Sequence, residues 1–169
     1  HVVAEGPSQP SVQMLQVGLA HHVHCVNMVP PPDVPRTDDD MQQRLGDEYA
    51  GLVAAVRSHL PAGYTIVDAH RCSSQNRKYL HIVARDGSDI VSFLVTARTE
   101  GPLEGADLAE GVGETAITPA SLVTDDVKVT GFETPRYYVY VVTGARSIDT
   151  AQLASAIGPS VRDYLATRS

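Results

Sequence analysis

Residues 64–98 read YTIVDAHRCSSQNRKYLHIVARDGSDIVSFLVTAR. The β-rich runs 64–72, 78–85 and 89–98 are separated by Ser73-Ser74-Gln75-Asn76 and by Asp86-Gly87, both good turn formers. Short turns between consecutive strands force neighbouring strands to run antiparallel, so this stretch predicts a three-stranded meander. In its middle strand the two-residue repeat puts Tyr79, His81 and Val83 on one face and Leu80, Ile82 and Ala84 on the other.

Downstream, runs 127–133 and 137–143 read as a second hairpin around Thr134-Pro135-Arg136. After it, Leu153, Ile157, Val161, Tyr164 and Leu165 share one face of a closing helix, capped by Ser147 or Asp149 and kinked at Gly158-Pro159. Upstream, Asp38, Asp39 and Asp40 supply cap and first-turn acids for a helix carrying the stripe Met41, Leu45, Tyr49, Leu52, Val53, Val56 and Leu60. Pro61 and Gly63 end it. Before it, Pro30-Pro31-Pro32 and Pro35 impose a stiff extended spacer. Spacings of four and three among Leu15, Leu19, Val23 and Val26 predict a first helix over 11–28. Residues 1–10 read as a linker or frayed end, and 99–126 as a long acidic loop rich in Gly, Glu and Ala. The expected fold is one α+β domain over 11–169: an antiparallel meander sheet of about five strands, packed on one face by about three helices.

Composition narrows the function. With no Trp and two Phe, the core must be filled by Val, Leu and Ile, as a sheet interior accepts. A net charge of -7 with no Lys/Arg run argues against nucleic acid or an anionic membrane as partner. No segment approaches the apolar length needed to span a bilayer, so membrane contact is expected only through a segment outside this sequence. No G-x-S-x-G, P-loop, G-x-G-x-x-G or H-E-x-x-H pattern is present, and the acidic residues cluster where caps or solvated surface explain them, so the expectation is a protein that is not an enzyme.

The two cysteines stand out because each sits among histidines: His21-His22-Val23-His24-Cys25 and His70-Arg71-Cys72. On a helix, His21 or His22 shares a face with Cys25. On a strand, His70 and Cys72 project together. His22, Cys25, His70 and Cys72 are therefore the candidate metal ligands, for zinc in tetrahedral geometry or for copper(I) with Met28 as a soft third donor. Two readings compete with a metal site. A Cys25–Cys72 disulfide would tie the first helix to the sheet, worth roughly 3–4 kcal/mol in an oxidising compartment. A thiol-dependent enzyme would use one cysteine of depressed pKa. His59 reads as a helix-end residue and His81 as a satisfied sheet residue. A copper brace on His1 conflicts with the absence of Trp and with the helix-and-meander order.

The succession of H-x-x-C at 22–25, LGDEYAGLVAAV at 45–56, PAGYTIVDAHRC at 61–72, NRKYLHIVARDG at 76–87 and GFETPRYYVYVV at 131–142 resembles the extracytoplasmic part of bacterial membrane-bound anti-sigma-factor-like regulators. The resemblance covers most of 11–165. It implies a periplasmic or extracytoplasmic location in the bacterial envelope, a sensory or scaffolding role, and an envelope protein or a metal ion as partner. The cytosolic H-x-x-x-C-x-x-C motif of such proteins is absent from this sequence, so the resemblance does not extend to sigma-factor binding. A secreted or periplasmic copper- or zinc-binding protein is the alternative from a different class.

Overall fold

The computed structural model describes residues 20–22, 25, 30–74, 76–98, 120–124 and 127–167. Its elements are α1 (Asp38–Leu45), a 3-10 turn (Asp47–Tyr49), α2 (Ala50–Arg57), β1 (Thr65–Ser74), β2 (Arg77–Asp86), β3 (Asp89–Ala97), β4 (Ala120–Thr124), β5 (Val127–Glu133), β6 (Tyr137–Thr143) and α3 (Thr150–Ala166). Residues 20–22 and 25 are helical as well, and the rest of the expected first helix, the 1–10 linker and residues 99–119 lie outside the described residues. No helix among the described residues is long and apolar enough to cross a membrane.

The α+β, antiparallel expectation holds, with two additions. Within 99–126, read as loop, Ala120–Thr124 forms an edge strand, and the sheet has six strands in the order β1-β2-β3-β6-β5-β4. It is thus two meanders, β1-β2-β3 and β4-β5-β6, joined where Val91–Ala97 pairs antiparallel with Tyr137–Thr143. The first face buries Leu80, Ile82, Val91, Phe93, Val95, Val139 and Val141 against Met41, Leu45, Leu52, Val56, Leu153, Ile157 and Val161 of the three helices. This face was foreseen. The opposite face carries Tyr79, His81, Ser92 and Tyr140, all buried, and His21 and His22 contact its first three strands.

The helix expected over 38–60 is broken at Gly46, whose φ of 106° lies where only glycine is unstrained. The break has a partner. The Arg71 Nε donates to the Leu45 carbonyl at 2.7 Å, closing the end of α1, and the guanidinium occupies the space a Cβ on residue 46 would need. Gly46→Ala is therefore expected to cost about 1–2 kcal/mol, read as a lower melting temperature with unchanged secondary structure. The cap of α1 is Thr37, whose hydroxyl accepts from the Asp40 N–H, while the three acids fill the first turn. Asp149 caps α3, with Pro159 inside the helix.

One irregularity orients everything that follows. Ile66 pairs with Ala84 but Asp68 with Val83, so Val67 is an extra residue in β1. A one-residue bulge reverses the facing of the strand beyond it. Ile66 faces the helices, yet Asp68, His70 and Cys72, at even positions like Ile66, face the other way, alongside Val83, His81 and Tyr79. The proline spacer braces this point: Arg36 N–H donates to the Val67 carbonyl at 2.9 Å, and Arg85 donates to the Pro32 carbonyl at 2.9 Å.

Candidate metal centre

Strand pairing sets His70 directly opposite His81, and Cys72 opposite Tyr79. The helical residues supply Cys25 from above. One donor atom from each of Cys25, His70, Cys72 and His81 lies within 4.8 Å of every other, a spacing that a single metal ion can bridge. Cys25, His70 and His81 are buried and Cys72 is half-buried.

Each histidine of this group is held through one ring nitrogen and left open at the other. His70 Nδ1 lies 3.1 Å from Asp68 Oδ2, and His81 Nε2 lies 2.8 Å from Ser92 Oγ. The remaining nitrogens, His70 Nε2 and His81 Nδ1, are buried with no hydrogen-bond partner. A buried polar atom without a partner costs about 1–3 kcal/mol unless something else satisfies it. This is the arrangement of metal-ligating imidazoles, where an outer carboxylate or hydroxyl fixes the tautomer and aims the free nitrogen. Asp68 is itself fixed, with Arg36 Nε 3.0 Å from Oδ1 and Arg44 3.6 Å from Oδ2.

The charges follow from these contacts. Burial pushes His70 down, but the Asp68 carboxylate and the Cys25 sulfur outweigh it and raise the imidazole to about 8. Burial also pushes Asp68 up, yet His70, Arg44 and Arg36 hold it below the usual carboxylate range. Burial depresses His22 to about 4 and lowers His81, so both stay neutral at physiological pH. Between the two sulfurs, the thiol of Cys72 and then the His21 imidazole favour the thiolate on Cys25, while Cys72 is pushed up by that neighbouring charge and by burial.

Of the four residues expected as ligands, Cys25, His70 and Cys72 lie close together. The fourth does not. His22 turns Nδ1 to Ser92 Oγ at 2.7 Å, on the far side of the hydroxyl that holds His81, so it supports the centre through Ser92. His81, read from the sequence as a satisfied sheet residue, bonds Ser92 through Nε2 and also stands within reach of the other three. His21 stacks on Tyr79 with ring centroids 3.7 Å apart and brings Nε2 to 2.8 Å from Cys72 Sγ and 3.4 Å from Cys25 Sγ. The two cysteines are free thiols, their sulfurs 2.8 Å apart against about 2.05 Å for a covalent bond, so the disulfide alternative is not the state of this structure. His59 meets Ser160 Oγ at 3.1 Å, tying α2 to α3 away from the centre. His1, His24 and Met28 lie outside the described residues.

No protein-family description matches the chain, and neither do any curated protein or solved structure.

Proposed function

We propose that this is a metal-binding domain of the bacterial envelope that takes one zinc ion on Cys25, His70, Cys72 and His81 and acts by holding it, without turnover. The observation carrying the reading is the pair of orphaned, buried nitrogens on His70 and His81, each aimed by a hydrogen bond on the other side of its ring. Two thiolates and two imidazoles suit tetrahedral zinc. A set in which the protein provides all four ligands leaves no open position for substrate, as in structural or sensory sites rather than catalytic ones.

The centre joins the helical residues around Cys25 to β1 and β2, so occupancy governs how that segment docks on the sheet. Resemblance to the extracytoplasmic domains of anti-sigma-factor-like regulators supports a sensory role there, with the docked segment as the element that changes.

Native mass spectrometry of the purified, reduced protein tests the reading: one zinc per chain is expected, lost on denaturation with both thiols then open to alkylation. A chain that stays metal-free after incubation with zinc would sink it. Because His70 must shed its proton and Cys72 its thiol hydrogen to bind metal, zinc uptake at pH 7 is expected to release protons. The measured heat of binding should then vary with the ionisation heat of the buffer, and affinity should fall as pH is lowered below about 8. Identical heats in phosphate and in Tris would contradict this.

A further inference from the structure

We propose that the same centre has a second, copper(I)-selective mode in which the ion is held by Cys25, Cys72 and His21, with His70 and His81 left out. The inference rests on the centre proposed above, and adds a ligand and a metal to it.

The argument starts from a donor too many. Five side chains converge where a tetrahedral ion needs four: the quartet, and His21 from one helical turn before Cys25. His21 Nε2 lies 2.8 Å from Cys72 Sγ and 3.4 Å from Cys25 Sγ, with the sulfurs 2.8 Å from each other. These three atoms form a compact triangle of two sulfurs and one nitrogen. His21 is 1% exposed and brings Nε2 to the sulfurs, while Nδ1 has no hydrogen-bond partner, so the ring is held by its stacking and not by an outer carboxylate or hydroxyl. Stacking on Tyr79 at an interplanar angle of 22° holds the ring plane and leaves Nε2 directed at the sulfurs.

The metals differ in what they ask of such a set. Zinc takes four ligands and accepts imidazole as readily as thiolate. Copper(I) is softer and is selected by thiolates, which a triangle of two sulfurs and a nitrogen supplies with fewer ligands. The triangle spans the helical segment and β1 only, whereas the zinc quartet also engages β2 through His81. The two ions therefore leave the sheet in different states: zinc satisfies the orphaned nitrogens of His70 and His81, and copper(I) leaves both open.

The test is a pair of affinities measured on two variants of the whole chain under anaerobic, reducing conditions. Copper(I) affinity is read by competition with bicinchoninate, and zinc affinity by competition with a chromogenic chelator. His21→Gln is expected to weaken copper(I) binding at least tenfold more than it weakens zinc binding, the remaining zinc affinity showing that the variant folds. His81→Gln is expected to do the reverse. X-ray absorption of the copper(I) form should show two sulfurs and one nitrogen. Equal losses for both metals in His21→Gln would make His21 a supporting hydrogen-bond donor to Cys72 and overturn the proposal, as would copper(I) binding indifferent to His21. Failure of the wild-type chain to retain zinc, measured first and separately, would instead strike at the quartet.

Discussion

Replacing Cys72 with serine is expected to lower zinc affinity by more than about 100-fold, since loss of outer partners alone commonly costs 10–100-fold at such sites. In the proposed centre the thiolate is a primary donor, and serine at neutral pH presents a hydroxyl that zinc does not accept in its place. The effect should also appear as stability. A ligand present at a thousand times its Kd stabilises the native state by about 4 kcal/mol, which for a domain of this size is about 8–16 °C in melting temperature. Wild-type protein should therefore melt well above its own chelated form, and Cys72→Ser should keep at most about 1.4 kcal/mol of that gain, about 3–6 °C. A zinc-dependent rise in the variant equal to that of wild type would remove Cys72 from the ligand set.

Asp68→Ala should be the most damaging change outside the ligands. The carboxylate is 1% exposed and serves His70, Arg36 and Arg44 together. Removing one partner of a buried charge network costs about 3–5 kcal/mol, and the lower end applies here because both arginines are partly solvated and can recover water. Zinc affinity should fall 10–100-fold as His70 loses the group that aims it.

The metal-free proteins add a pH signature. Asp68 has a lowered pKa, so its contribution is present above about pH 4 and lost as pH falls through its native value. His70 has a raised pKa, so its contribution is complete below about 6.5 and lost as pH rises through about 8. The stability gap between chelated wild type and chelated Asp68→Asn should peak between those limits and narrow on both sides. Thermal melts across the range check it, and a gap that keeps widening above pH 8 would refute the assignment.

Much of the fold was legible because period-two runs bounded by turn residues leave little choice. The hairpin strands Val127–Glu133 and Tyr137–Thr143 fall where the sequence reading puts them. Strand β4 escaped because five residues, Ala120–Thr124, follow a stretch of Gly, Glu and Ala that carries no alternation of its own. The break at Gly46 escaped for another reason: the apolar stripe continues in phase across it, and the group that ends α1 is Arg71, twenty-six positions away.

The site was legible to the extent that chemistry is local. Cysteine flanked by histidine marked both halves, and the strand repeat aligned His70 with Cys72. That His22 turns to Ser92 depends on the position of Ser92 on β3, which no helical spacing contains. Recognising His81 needed to know that it stands across from His70, a fact of pairing register rather than of either strand's own sequence.

The extra residue at Val67 carries a lesson about relatives of this chain. A pattern such as D-x-H-x-C can be preserved letter for letter while its phase against the apolar residues before it shifts by one, because a bulge takes up the extra residue without changing which face the pattern occupies. With Val67 deleted, Ile66 and Asp68 would become neighbours in a regular strand, still opposite Ala84 and Val83, so Asp68, His70 and Cys72 would keep their face and only the bulge would be lost. Deleting Val67 should accordingly leave the cluster on its face, whereas deleting a residue between Asp68 and Cys72 would turn part of the pattern toward the helices. A search for similar centres in other proteins should count residues from the turn into the strand as well as the spacing of the ligands.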